Sequence, residues 1–330
     1  MRTFDYHLAE SPADAVATLT AHPGAAYLAG GTNLVDHMKL GVATPDLLVD
    51  VSRLPLDEVT TADDGGVRIG ATVRNSDLAA HPVIRSRYPG LSRALLSAAS
   101  GQLRNSATTA GNLLQRTRCV YFQDVTTPCN KRTPGSGCAA IGGYVRYHAI
   151  LGASPHCIAV HPSDMAVAMS ALDAVVIVEG ADGERGIPID EFYRLPGDDP
   201  EHDTVLRHGE LITEVELPAP PPGAVSDYRK VRDRASFAFA LVSVAAELSV
   251  TGDEIDSARI ALGGVAHKPW RARRAEEVLT GAPATEQTFA AAADAELSGA
   301  EPQPGNEFKV ELTRRTLIAE LRALTERGRR

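Results

Sequence analysis

Apolar positions along the chain change rhythm from element to element. Residues 3–7 alternate and read as a short strand. Ser11 before Pro12 supplies a helix cap and a proline at the first helical position; Ala15, Val16 and Leu19 give that helix its apolar face, and Pro23-Gly24 ends it. Residues 26–29 read as a buried strand, Gly30-Gly31-Thr32-Asn33 as a turn, residues 34–40 as a short helix and residues 47–50 as a strand. A strand at 67–71 and a helix at 91–99, burying Leu91, Leu95 and Leu96, come next. Further on, the pattern predicts a helix over 164–172 capped by Ser163, strands at 174–178, 187–189 and 211–217, and sheet or helix core at 239–250 and 257–261. Val310, Leu317, Ile318, Leu321 and Leu324 fall near helical spacing in a charged C-terminal helix, which is expected to pack on its own domain.

That rhythm fails in one place. Between residues 106 and 164 the chain is rich in Gly, Pro and Thr and lacks a regular period. An irregular stretch this long inside a folded domain usually serves a function. It contains every cysteine of the chain, Cys119, Cys129, Cys138 and Cys157. A second break, Pro218-Ala219-Pro220-Pro221-Pro222-Gly223, reads as a stiff extended linker. The expected organisation is therefore a first domain over 1–217 with a cysteine-rich loop at 115–160, a linker over 218–223, and a second domain over 224–330.

Composition narrows the field. The 330 residues carry a net charge of −9, which argues against a nucleic-acid partner. No apolar run reaches the eighteen or so residues that a membrane span needs. The first six residues form no apolar signal region, so the expectation is a cytoplasmic chain, or a periplasmic one if exported on a partner's signal.

Candidate chemistry clusters around the glycines and the cysteines. Two adjacent glycines between a strand and a helix let backbone N–H groups approach a phosphate at the helix N-terminus. The dipole contributes only ~0.3–1 kcal/mol there, so the amides must carry much of the binding. A plain glycine turn closing a strand–helix unit is the alternative. Residues 108–112, with Thr108, Thr109, Gly111 and Asn112, offer a second plausible phosphate cradle, or a polar turn. The nicotinamide fingerprint G-x-G-x-x-G is absent from the first turn. Asp164 can serve the helix dipole or accept from ribose or adenine donors. The cations at Arg229, Lys230, Arg232 and Arg234 form a solvated face or meet an anionic cofactor. The cysteine spacing C-x9-C-x8-C-x18-C matches neither a zinc ribbon nor a ferredoxin run, which leaves the metal open. His148, His156 and His161 lie near the cysteines as possible ligands or as ordinary hydrogen-bonded histidines.

Taken together, these residues resemble the flavin subunit of the molybdenum hydroxylases, the xanthine oxidase and carbon monoxide dehydrogenase medium-chain family. Leu28, Ala29, Gly30, Gly31, Thr32, Asn33 and Leu34 are similar to its first FAD pyrophosphate loop, and residues 102–112 to its second. Ser163-Asp164 resembles the serine–aspartate contact that follows, and residues 228–231 and 236–240 resemble the start of its C-terminal flavoprotein domain. Ala110 departs from the pattern, where the family more often has glycine. The cysteine loop resembles one branch, the bacterial three-subunit aldehyde oxidoreductases, whose flavin subunit carries an added 4Fe–4S cluster.

The resemblance implies an α+β fold: a two-subdomain FAD-binding domain of the vanillyl-alcohol-oxidase type followed by a small α+β domain. It implies that Leu28 to Leu34, Thr108, Gly111, Asn112, Asp164 and Lys230 bind FAD, with Asp164 at the ribose or adenine end and Lys230 near the flavin ring. It assigns Cys119, Cys129, Cys138 and Cys157 as cluster ligands and places no catalytic residue in this chain beyond the flavin. The expected partners are a molybdenum-cofactor large subunit, a 2Fe–2S small subunit and an external electron acceptor, with no nucleic acid. A non-catalytic assembly module with a structural four-cysteine zinc site is the alternative expectation.

Overall fold

The computed structural model describes residues 1–328. Three sheets organise them. The first is parallel, in the order β1 (Asp5–Leu8), β3 (Leu47–Asp50), β2 (Ala25–Leu28). The helix Pro12–Ala21 is capped by Ser11 Oγ, which accepts from Asp14 N at 3.1 Å, and buries Ala15, Val16 and Leu19 as their spacing predicts. β2 is only half-buried, not the buried strand expected, because it lies at the edge of this small sheet.

The second sheet runs β4 (Val59–Thr61), β5 (Val67–Gly70), β8 (Leu211–Leu217), β6 (Val175–Gly180), β7 (Gly183–Pro188) and is antiparallel throughout. Chain termination of β7 at Pro188 hands Ile189 to a short helix, Ile189–Phe192, where a strand residue was expected. The helix Pro89–Ser97 buries Leu91 and Leu95, but Leu96 points outward and is 56% exposed.

The third sheet, β12 (Trp270–Arg271), β11 (Glu254–Gly263), β10 (Val242–Thr251), β9 (Val225–Val231), is also antiparallel. It packs on the long helix Phe308–Gly328 through Leu317, Leu321 and Leu324, all fully buried.

Residues 218–223 connect β8 to β9 and are tied down: Tyr88 donates its hydroxyl to Pro218 O at 2.8 Å. One apolar core crosses this connection. It includes Ile69, Val176 and Val215 of the second sheet and Tyr228, Ala245 and Ala261 of the third. At its centre lies the helix Asp164–Ala171, all eight residues of which are buried. No helix among the described residues is long and apolar enough to cross a membrane.

Candidate functional site: a cofactor trough and a cysteine loop

The two glycine-bearing turns meet. Ser106 Oγ donates to Gly30 O at 2.9 Å, and Arg116 N donates to Asn33 Oδ1 at 3.0 Å. Gly30 is required by this meeting itself: a Cβ there would lie 2.0 Å from Ser106 O. Gly31 holds φ at +70°, a left-handed backbone that favours glycine. Asn33 precedes the helix Leu34–Leu40 but makes no side-chain cap, because its Oδ1 reaches Arg116 instead. Thr108 caps the helix Thr109–Leu113, accepting from Gly111 N at 3.3 Å. Ala110 turns its methyl onto the apolar core, which accommodates the departure from glycine.

Around this junction three cavities run together. The first, about 350 Å³, is lined by Ala29, Gly30, Gly31, Thr32, Asn33 and Leu34 together with Thr108 and Gly111; Leu28 lies outside its lining. The second, about 190 Å³, shares Thr32, Asn33 and Gly111 with the first and adds Asn112, Asp164 and Lys230. The third, about 380 Å³, shares Asp164, Arg118, Phe237 and Phe239 with the second and reaches Cys119 and Tyr147.

The trough walls are built for a polar guest. Asn33 Nδ2, Thr72 Oγ1 and Asn75 Oδ1 are buried without a protein partner, and all three residues line the first two cavities. Leaving such groups unpaired costs roughly 1–3 kcal/mol each unless a ligand satisfies them. The structure thus offers hydrogen-bonding amides and hydroxyls, a left-handed glycine turn and two helix N-termini along one trough. That donor set fits a dinucleotide with an anionic pyrophosphate. Thr72 and Asn75 carry no motif and are missed in the sequence, since single polar residues just before and at the start of the short helix Asn75–Ala80 give no periodic signal.

Asp164 and Lys230 meet as an ion pair at 2.7 Å, each side chain 4% exposed. Tyr228 donates its hydroxyl to the other Asp164 oxygen, and burial beside this carboxylate pushes the Tyr228 phenol well above its ordinary pKa. Lys230 also donates to Ser97 O at 3.2 Å. This pairing corrects two expectations. Lys230 is no part of a solvated face, and Asp164 and Lys230 cannot serve opposite ends of an extended cofactor. Both face the same middle part of the trough.

Asn112 is held from two sides: its Oδ1 accepts from Ser163 Oγ at 2.6 Å and from Gln115 Nε2 at 2.8 Å. Ser163 in turn caps the buried helix, accepting from Ala166 N at 2.9 Å. His37 lines the first cavity and sits edge-on to Phe122 at 5.6 Å; burial, with the charges of Arg118 and Arg116, pushes its pKa down to about 4.

The cysteine loop adjoins the trough. Its one short helix, Val120–Gln123, follows Cys119 directly. All four cysteines are free thiols; Cys129 and Cys157 are buried, Cys119 and Cys138 half-buried. Residues 129 and 138 pair across an isolated bridge, as do 154 and 157. Burial pushes the Cys119 thiol up to about 11 and the Cys157 thiol up to about 12. Metal binding reverses such a penalty by displacing the proton. Arg132 donates to Tyr121 O at 2.9 Å and Phe122 O at 2.7 Å, and Asn130 Oδ1 accepts from Gly137 N at 2.8 Å. Lys131, 1% exposed, donates to Pro200 O at 2.7 Å and pairs with Asp203. His148 Nε2 lies 3.2 Å from Cys119 Sγ; His156 faces Asp198 at 3.4 Å; the His161 ring lies tilted against Tyr193 at 4.5 Å.

Four soft thiols carried on one loop suit a thiophilic metal or iron–sulfur centre.

Residues 2–220 match the FAD binding domain in molybdopterin dehydrogenase, and residues 226–322 match the CO dehydrogenase flavoprotein C-terminal domain. The chain belongs to this family, the FAD-binding medium subunits of the molybdenum hydroxylases, and is an oxidoreductase subunit.

The chain is 55% identical over 327 residues to the aldehyde oxidoreductase FAD-binding subunit PaoB of Escherichia coli, covering 98% of this chain and 99% of that one. It is 31% identical to the glyceraldehyde dehydrogenase medium chain of Sulfolobus acidocaldarius, covering 84% and 81%. Among solved structures, the carbon monoxide dehydrogenase of Hydrogenophaga pseudoflava lacking the Mo-pyranopterin moiety superposes with a TM-score of 0.78 at 27% identity, covering 99% and 98%.

Proposed function

We propose that this chain is the electron-transfer flavin subunit of a molybdenum-dependent aldehyde oxidoreductase. The observation that carries the reading is the trough at the junction of the two glycine turns, with its buried, unpartnered Asn33, Thr72 and Asn75 atoms. Gly30, Gly31, Thr32, Asn33, Thr108, Gly111 and Asn112 would hold the pyrophosphate of FAD. Asp164 and Lys230, as a charge-compensated pair, would face the flavin portion. When bound, FAD supplies the exchange between one-electron and two-electron carriers. The buried walls orient it and exclude water. Division of labour along the chain follows: residues 1–217 bind the cofactor, 218–223 connect, and 224–330 close the trough through β9 and the 236–240 segment.

The substrate class rests on the 55% identity to an aldehyde oxidoreductase subunit. A molybdenum-cofactor subunit would oxidise the aldehyde, a 2Fe–2S subunit would relay electrons to this chain, and an external acceptor would receive them. The complex works in the cytoplasm, or in the periplasm when exported on a partner's signal.

Cys119, Cys129, Cys138 and Cys157 would ligate a 4Fe–4S cluster. A 4Fe–4S cluster takes four cysteine thiolates, and all four free cysteines of this chain lie on the one loop beside the trough. No specific observation favours the zinc-bearing assembly module. The test is an ultraviolet–visible spectrum of anaerobically purified protein with iron and zinc quantified on the same sample. Flavin bands with about four irons per chain are expected; a colourless protein with one zinc overturns the reading. Cys129→Ser should lose its iron and keep its flavin, and full iron retention sinks the ligand assignment.

A further inference from the structure

His148 is held where it can do one thing. Its carbonyl accepts from Lys309 Nζ at 2.7 Å and from Asn306 Nδ2 at 3.3 Å, and both donors are fully buried. Its own N–H donates to Val145 O at 2.8 Å. The ring tilts against Tyr121 at 6.5 Å and is 4% exposed, so it cannot swing into solvent. In this pose Nε2 lies 3.2 Å from Cys119 Sγ, while Nδ1 is buried without a partner. Cys119 also differs from the other three cysteines: it alone lines the cavity that holds Asp164, Phe237 and Phe239.

We infer that His148 is a positioning residue that donates its Nε2–H to the Cys119 thiolate and thereby tunes the metal-bound sulfur nearest the cofactor trough. This rests on the four-cysteine cluster reading above. A metal-bound thiolate carries no proton, so the only hydrogen available to this contact is the one on the histidine. A hydrogen bond to a ligating sulfur draws electron density from it and favours the reduced form of the centre. The unpartnered Nδ1 is consistent with the single ring proton sitting on Nε2. The tuned corner is the one facing the trough, so His148 acts where the two redox sites of this chain approach one another.

The test uses the full chain purified anaerobically and titrated with dithionite under electron paramagnetic resonance. Wild-type protein is expected to show an exchangeable proton coupled to the reduced centre, lost after transfer to deuterium oxide. His148→Phe is expected to keep its iron, lose that coupling and show a lower midpoint potential. His148→Gln, which retains a side-chain N–H, is expected to lie closer to wild type. Absence of the exchangeable coupling in iron-loaded wild-type protein overturns the inference alone, as does an unchanged midpoint in iron-loaded His148→Phe. Wild-type protein without iron overturns the cluster reading and this inference with it.

Discussion

Asn33, Thr72 and Asn75 each bury a polar side-chain atom with nothing in the protein to pair it, whereas Asn130 and Arg132 in the cysteine loop are fully engaged. Asn130 holds Gly137 N and His156 O together; Arg132 gathers carbonyls of Tyr121, Phe122 and Thr127. The apolar support is reversed. The trough lies on a large core shared by two sheets, while the loop has a small cluster of Ala140, Val145 and Ile158. The trough is therefore a rigid frame with unmet polar demand, ready for a ligand before it arrives. The loop pairs most of its polar groups internally, leaving Arg118 Nε and His148 Nδ1 as its buried unpartnered atoms, and its own apolar cluster is small.

Acid should expose the frame most strongly. Burial pushes His37, His161 and His267 down to about 4, against an ordinary histidine near 6.5. The unfolded chain takes up these protons below 6.5 and the folded chain does not until about 4, so stability falls as pH drops through that window and is restored above it. Three such groups give a slope of up to about 4 kcal/mol per pH unit. Denaturant midpoints measured between about pH 7 and pH 4.5 should follow it, and a flat profile would show that the frame relaxes around its histidines.

Lys230→Met leaves Asp164 as an uncompensated buried carboxylate and should cost about 3–5 kcal/mol in denaturant unfolding. The double variant Asp164→Asn/Lys230→Met should recover more than half of that. No recovery would mean that Lys230 is needed for more than the pair.

Glycine substitutions separate frame from guest. Gly30→Ala must push Ser106 away and should destabilise by about 3 kcal/mol while lowering flavin content. Gly111→Ala crowds the capping Thr108 Oγ1, at 3.0 Å, and should cost no more than about 1 kcal/mol while still losing flavin. Equal melting losses in both variants would break the distinction. The smallest effect is expected for Ser163→Ala, about 1 kcal/mol from the lost cap, with weaker flavin retention because Asn112 loses a donor.

Local chemistry was legible in the sequence and distant pairing was not. The Ser11-Pro12 helix start, β3 and β8 follow from capping and alternation over a few residues. The four cysteines stand out by their confinement to one loop. Leu96 was misread because a run of leucines does not say which one turns outward. Lys230 and Asp164 lie far apart in sequence, and nothing near either one encodes that β9 brings them to a salt bridge. Gly30 is singled out in the sequence as a phosphate-loop glycine, whereas the need for a bare Cα that the structure shows comes from a backbone 76 residues further on.

The core that passes across residues 218–223 has a consequence for how this protein can be divided. Tyr228, Ala245 and Ala261 are as much part of the first unit's interior as Ile69 and Val215, and Asp164 is neutralised from the far side of the proline segment. A chain nicked between Pro220 and Pro221 would keep its two fragments clasped together as a heterodimer. Either fragment made alone would present to solvent the apolar face that the other had covered.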